Sequence, residues 1–309
     1  MSQCRIAPSL GALEGHPNDV WGTTDYVSRE VPTVFFGLYD LRDYIALWRH
    51  RGKCWVLWAG SDIRHLRSRF IFNDGKLLTL SQLFASLTID FRQFLIKYVL
   101  TKAEHWVENE AEAWQLKNMG IKVSGIQPSF MGDVKKYKVS FQKGNKVWMS
   151  ANRGREQEYG WHVVLQLAWA LPAIEFHLYG SDWPDIQELL DSQGITWKQY
   201  HPNVFVHGRV SKKKMNAQVQ KMQCGLRLNK HDGFSEVTAK SVLWGQYPIT
   251  YLYHDHITQY ADNTGITNTA TNLRKLRTLL EEVCKKEKPN LVAREFYIKQ
   301  LNRYPWTYV

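Results

Sequence analysis

Cysteine is scarce and scattered. Cys4, Cys54, Cys224 and Cys284 are the only four in 309 residues, and none stands in a C-x-x-C spacing. Neither a zinc site nor a disulfide framework is expected from them, and they read as ordinary reduced thiols. Long apolar runs are missing as well. The longest mostly apolar stretch, residues 163–176, is interrupted by Gln166, Pro172 and Glu175, and it falls short of the roughly 18 residues that a bilayer span requires. The first ten residues contain no basic cluster followed by an apolar core, so a secretory signal is not expected and a cytoplasmic protein is.

What is present describes a soluble α/β chain. Apolar residues make up 44% and charged residues 22%, which excludes a disordered or collagen-like polymer. A chain of this length is expected to hold two domains of about 150 residues. Forty Lys plus Arg face 29 Asp plus Glu, a formal charge of +11. Residues 1–140 carry +4 of it and residues 141–309 carry +7. Such an excess draws a protein toward polyanions or small anionic molecules without choosing among them. Aromatic residues are plentiful, with 13 Trp, 15 Tyr and 13 Phe. They suit stacking platforms for bases or sugars, and they suit cores equally well.

Along the chain, short apolar runs alternate with amphipathic stretches, the rhythm of a parallel sheet covered by helices. In the first half, strands are expected at 34–38, 54–58, 105–107 and 121–126. Helices are expected at 41–50, from 91 onward with Arg92 and Lys97 on the polar face, and at 110–119, where Gly120 stops the last one. Residues 128–145 turn polar and basic, as an interdomain connection would. The rhythm then restarts, with strands at 147–151, 174–179, 204–207, 225–228 and 248–252. Helices are expected between and after them, at 162–171, 185–192, 215–222, 235–244, 274–286 and 292–302, before an aromatic tail, Tyr304-Pro305-Trp306-Thr307-Tyr308, able to pin the terminus across another domain. The fold class expected is α/β, with an N-terminal Rossmann-like domain over 1–140, a second over 141–285, and a helix and tail over 286–309 that pack back on the first.

In open α/β sheets, ligands bind beyond the carboxyl ends of the strands, so four loops are of interest. The loop after 147–151 carries Arg153 and Arg155 around Gly154 before a helix start. Planar guanidinium forks match phosphate oxygens, and a solvated turn accounts for the same residues about as well. A second loop, His231-Asp232-Gly233-Phe234-Ser235-Glu236, runs into a helix whose first turn offers N–H groups to an anion; a plain Ser-capped helix with a turn glycine reads the same. The third, residues 206–211 with Val210, precedes Lys212, Lys213 and Lys214. That run suits a polyanion or membrane surface, although a solvated face is the commoner outcome. The fourth is Ala59-Gly60-Ser61-Asp62, whose carboxylate suits sugar hydroxyls, a base role or a helix cap.

Four segments stand in a telling order: WAGSD at 58–62, AWQLKNMGIKVSGIQPSF at 113–130, SANRGREQEYGW at 150–161 and LRLNKHDGFSEVTAKSVLWGQYPI at 226–249. Together they resemble the GT-B glycosyltransferases, and in particular the retaining group that includes sucrose, mannosyl and lipopolysaccharide glycosyltransferases. The resemblance covers most of the chain. It implies two Rossmann-like domains facing across a cleft and a sugar moved from a nucleotide-sugar donor, UDP- or GDP-linked, without a metal or other cofactor. Arg153 matches the family's diphosphate-binding Arg, but Tyr159 stands where its Lys is expected, and Arg155 is the candidate to replace that charge. Asp232 matches the first acid of the family's Glu-x7-Glu element, while Lys240 stands at the second, a charge reversal.

The resemblance thus implies donor contacts from Gly60, Arg153, Arg155, Val210, Asp232, Gly233, Phe234, Ser235, Glu236 and Lys240. Asp62 is the acceptor-side group, grouped with Arg153 and Arg155 as catalytic. Departure of the nucleoside diphosphate develops negative charge that the arginines, Lys240 and the N–H groups near Phe234 and Ser235 would stabilise. Acceptors compatible with the charge and aromatics are a glycan, a lipid-linked or polysaccharide acceptor with peripheral contact to an anionic membrane, or modified bases of DNA. Tyr159 and Lys240 also fit a non-catalytic binding protein on the same scaffold.

Overall fold

The computed structural model describes residues 1–10, 13–63, 66, 96–192, 202–229, 232–260, 269–301 and 303–308. The chain divides into two compact units: Met1–Asp133 with His231–Phe234 and Gln300–Val309, and Val134–Lys230 with Ser235–Lys299.

Unit 1 is built on strands β1 (Gln3–Ile6), β2 (Thr24–Asp25), β3 (Thr33–Phe36), β4 (Cys54–Leu57), β5 (Glu104–Val107) and β6 (Val123–Ile126). They form one sheet in the order β2-β1-β3-β4-β5-β6, every pairing parallel. The central strands β3 and β4 are buried at every position, which is why they read as unbroken apolar runs and not as alternation. Helices α1 (Pro17–Trp21), α2 (Leu41–Arg49) and α3 (Glu110–Asn118) make the described crossovers. Asp40 caps α2 in a reciprocal box with Asp43, and the Asn109 side chain caps α3 by accepting from the Glu112 amide. Beyond α3, Gly120 takes φ +76°, the left-handed conformation that ends helices.

The C-terminal residues complete this unit. Tyr304 and Trp306 are wholly buried in a cluster with Trp21, Phe36 and Trp55 on the sheet. Trp21 meets Trp306 edge-on at 5.2 Å, and the Tyr304 hydroxyl donates to the Pro128 carbonyl at 2.9 Å. Unit 1 also buries two glutamates. Glu108 accepts from the Phe234 amide at 2.8 Å and from the Ser129 hydroxyl, and Glu112 accepts from the Glu108 amide at 2.8 Å. Burial pushes Glu108 up to about 8. Burial and then the neighbouring Glu108 charge hold Glu112 well above the usual carboxylate range.

Unit 2 contains β7 (Lys146–Ser150), α4 (Trp161–Ala170), β8 (Glu175–Tyr179), α5 (Trp183–Ser192), β9 (Val204–Val206), α6 (Lys212–Val219), β10 (Cys224–Arg227), α7 (Glu236–Leu243), β11 (Ile249–Thr250), β12 (Gln259–Tyr260), α8 (Thr269–Cys284) and α9 (Leu291–Leu301), the last two residues of α9 counting with unit 1. Its sheet is also parallel throughout, in the order β12-β11-β10-β7-β8-β9. Counted from β7 this is 3-2-1-4-5-6 read from the opposite edge, the Rossmann order. Val147, Met149, Phe176, Leu178 and Leu226 from the sheet pack with Trp161, Leu165, Leu276 and Leu280 from α4 and α8. The Asn203 amide nitrogen lies 3.0 Å from each of the carbonyls of Ala168, Leu171 and Ile174, so one buried side chain ties the end of α4 to the start of β8.

The elements differ from the sequence expectations at instructive places. The first strand is β1 and not 33–36; its sequence, QCRI, is too polar and short to stand out, yet it is the second strand of the sheet. The loop after the true first strand therefore begins at Ala7 and holds Gly15, together with Gly11, which lies outside the described residues. Helix α6 begins at Lys212, where the Ser211 hydroxyl caps it by accepting from the Lys214 amide at 3.3 Å. The lysine run is thus the first turn of a helix and not a loop. Of the helix expected from 91, residues 96–100 are helical and 91–95 lie outside the described residues. Among the described residues no helix is long and apolar enough to cross a membrane.

Two outcomes follow from unit 1. Trp306→Ala removes a fully buried indole and is expected to cost about 3–5 kcal/mol in a denaturant titration. For the glutamates, the folded state holds protons that the unfolded state releases above 4.5. The contribution of Glu108 is greatest at low pH and is lost as pH rises through about 8, and that of Glu112 is lost in the same direction. The melting temperature should fall between pH 7 and 9, and Glu112→Gln, which keeps the acceptor for the Glu108 amide, should flatten that fall; a slope identical to the native protein's would show that Glu112 is not the group releasing its proton.

Candidate functional site

In unit 2 the chain leaves the sheet in opposite directions from β7 and β10, which are neighbours. Such a switch point opens a crevice at the carboxyl ends of the two strands. The loop after β7 ends at Gly160, the N-cap of α4, with φ +80°. A Cβ there would lie 2.6 Å from the Leu228 side chain, so only glycine allows the β7 and β10 loops to approach this closely. Beside this contact the Arg227 guanidinium lies over the Tyr159 ring, 4.1 Å from its centroid. Two residues on, Asn229 is buried, and its side-chain oxygen has no hydrogen-bond partner among the described residues.

The rest of the β7 loop is shaped by Glu156. This buried carboxylate accepts from the Gly154 amide at 2.9 Å and from the Ser181 hydroxyl. Gly154 itself has φ +78°. The turn carries Arg153 and Arg155 outward, both exposed. Arg153 donates from Nε to Asp185 at the start of α5, 3.0 Å away. Arg155 stands 3.8 Å from Glu158. Both expected cations therefore lie at the carboxyl edge, each beside a carboxylate of unit 2. Arg155 was the candidate to replace the charge missing at Tyr159; the guanidinium that lies over that ring belongs to Arg227.

The β10 loop is divided between the units, and His231 with Lys230 lies outside the described residues. Asp232, Gly233 and Phe234 count with unit 1. There the Asn109 amide donates to the Asp232 carbonyl at 2.8 Å. The Phe234 N–H, expected to face an anion, donates to Glu108 at 2.8 Å instead, because a buried carboxylate needs donors. In unit 2, Ser235 caps α7 by accepting from the Thr238 amide at 3.1 Å. Lys240, expected to reach phosphate, is buried with its ammonium 3.2 Å from Glu236 one turn earlier. It also lies 3.5 Å from the Asn216 side-chain oxygen. An ammonium taken from water requires such a counter-charge, and Glu236 supplies it within the same helix.

Asp62, the expected acceptor-side group, is wholly buried. Its oxygens accept from the amides of Leu38 at 3.0 Å, Ala59 at 3.1 Å and Ile63 at 2.9 Å. Burial raises it to about 7 against the pull of those amides. Of the roles open to it in the sequence, these contacts are those of a cap, and they fasten the ends of β3 and β4. Gly60, in the same turn, has φ +83°; a Cβ there would press on the Gly233 and Asp232 backbone. Val210 is half-buried after β9.

Sequence reasoning missed Arg227, Asn229, Glu108 and Glu112. Arg227 ends an apolar strand, where a charge is a signal, since a strand interior would not tolerate it. Glu108 and Glu112 flank the expected helix start at 110, where carboxylates are common, and their burial is visible only in the folded chain. Among the described residues there is no group of three or more His, Cys, Asp or Glu able to hold a metal ion.

Neither a protein-family model nor a curated protein matches the sequence. Solved structures do. The lipopolysaccharide outer core galactosyltransferase WaaB is 13% identical with a TM-score of 0.52, over 90% of this chain and 72% of its own. Sucrose-phosphate synthase from Thermosynechococcus elongatus is 10% identical with a TM-score of 0.53, over 90% and 71%. TarM is 11% identical with a TM-score of 0.48; this chain spans little more than half of its length, 56%. At these identities the likeness is one of fold. The two parallel sheets and the likeness to WaaB and sucrose-phosphate synthase give the chain the fold of the GT-B glycosyltransferases.

Proposed function

We propose that this chain is a glycosyltransferase whose unit 2 holds a nucleotide-sugar donor, UDP- or GDP-linked, at the carboxyl ends of β7 and β10. The observation that carries this reading is the switch point itself. Adjacent strands diverge there, glycine lets their loops meet, and Arg153, Arg155 and Arg227 stand along that edge. The GT-B fold supports the donor class. Unit 1 then presents the acceptor, for which a glycan or lipid-linked hydroxyl is the class favoured by the lipopolysaccharide transferase among the fold's neighbours; modified DNA remains the alternative that an acceptor panel distinguishes.

In the reaction, an acceptor oxygen forms a bond to the anomeric carbon as that carbon's bond to the β-phosphate oxygen breaks. The electron pair goes to the departing diphosphate, and the acceptor proton is passed to that diphosphate or to water. The protein's task is to stabilise charge appearing on the leaving oxygen. Arginine side chains serve this without a metal, so metal independence is part of the proposal. Asp62 acts here through position, since its amide contacts hold the turn that carries Gly60.

A second reading is a binding protein on the same fold, favoured by the internal pairing of Lys240 with Glu236. A panel of UDP- and GDP-sugars separates the two: release of nucleoside diphosphate supports the enzyme, whereas binding without release supports the second reading, and neither binding nor release would sink both. Arg153→Ala is expected to lower turnover about 10- to 100-fold, the loss of one charge-assisted contact to phosphate. Its melting temperature should barely change, because the ion pair with Asp185 is an exposed one. EDTA should leave the rate unchanged; a loss restored by added divalent cation would refute metal independence.

A further inference from the structure

We propose that Arg227, held over the Tyr159 ring, is a further cation that binds the donor's diphosphate at the switch point of unit 2. This rests on the glycosyltransferase reading and assigns a residue that the sequence motifs do not indicate.

Three observations converge on it. Arg227 is the last residue of β10, and β10 pairs with β7, so its side chain leaves the sheet where the crevice opens. The loop motif that supplies Arg153 and Arg155 has Tyr159, a neutral ring, where a second cation was expected, and the guanidinium 4.1 Å above that ring restores a positive charge there. Phosphate is bound by the N–H fork of a guanidinium, and a neutral ring beside it adds no competing charge. Contact with Tyr159 restrains the side chain before a ligand arrives, which reduces the ordering cost of binding.

The other cations of this edge are differently placed. Arg153 and Arg155 project into solvent beside Asp185 and Glu158, and Lys240 is buried against Glu236. Arg227 is half-buried, where an electrostatic contact is screened less than at the surface. Close by in sequence, the buried Asn229 side-chain oxygen has no hydrogen-bond partner among the described residues. Such an acceptor takes a hydrogen bond from a ligand hydroxyl or a water.

The test is calorimetric binding of UDP and GDP, each beside its nucleoside, to the native chain and to Arg227→Ala, Arg227→Lys and the pair Arg227→Ala with Tyr159→Lys. Arg227→Met, which keeps the stem on the ring, replaces the alanine variant if that one does not fold. Arg227→Ala is expected to weaken diphosphate binding about tenfold or more, with nucleoside binding unchanged. Lysine at 227 should fall between, and Tyr159→Lys should recover most of the loss by restoring charge at the same place, which a structural role for Arg227 would not produce. Native affinity for UDP and GDP in Arg227→Ala, or an equal loss of the nucleoside, overturns the assignment while leaving the glycosyltransferase reading intact. Failure of the native chain to bind either nucleotide removes that reading, and this assignment with it.

Discussion

The carboxyl edge of unit 2 depends on one steric fact, that no side chain fits at Gly160. With Leu228 only 2.6 Å from where its Cβ would be, the backbone after β7 passes directly against the side chain that follows β10. Any other residue there would wedge the two loops apart and would also be forced into φ +80°, which non-glycine residues adopt at a cost. Because the loops meet, Tyr159 comes under Arg227, and the two ends of a switch point become one surface. Glycine at this position does for the site what a larger residue elsewhere does for the core: it sets a distance.

The charges arranged around that surface follow a division by burial. Those in solvent, Arg153 and Arg155, are oriented by weak exposed pairs that a ligand can outcompete. The buried one, Lys240, is matched by Glu236 inside α7, since an isolated ammonium there would be expensive. Arg227 lies between these extremes, half-buried with its guanidinium over the Tyr159 ring. In unit 1 the buried groups are carboxyls: burial pushes Glu108 and Glu112 up, and their oxygens accept from the Phe234 and Glu108 amides and the Ser129 hydroxyl.

Much of the architecture was visible in the chain. The strands at 33–36, 54–57, 146–150 and 175–179 are apolar because both of their faces are covered, and helices with a capping residue before them, such as α2 and α3, announced their starts. Strand β1 escaped because Gln3 and Arg5 are polar for local reasons. The Gln3 side chain accepts from the amides of Val27 and Ser28, and Arg5 pairs with the buried Asp43 at 2.6 Å. Such partners are remote in sequence. The same limit applies to the site: Arg153, Arg155 and Gly160 sit in a loop whose composition marks it, whereas Arg227 becomes meaningful only beside Tyr159.

By itself, then, the amino-acid sequence determined the repeated strand–helix rhythm, the parallel sheets and the glycine and arginine content of the loops, because hydrophobic period, caps and turn residues act over a few positions. Tertiary structure decided which charge faces which. Asp62 became a buried cap and not an open carboxylate, Phe234 gave its amide to Glu108, and Arg227 came to rest on Tyr159. Each of these outcomes joins residues between 24 and 126 positions apart. The strength and even the sign of an electrostatic effect are set by distance and burial, and neither quantity exists until the chain has folded.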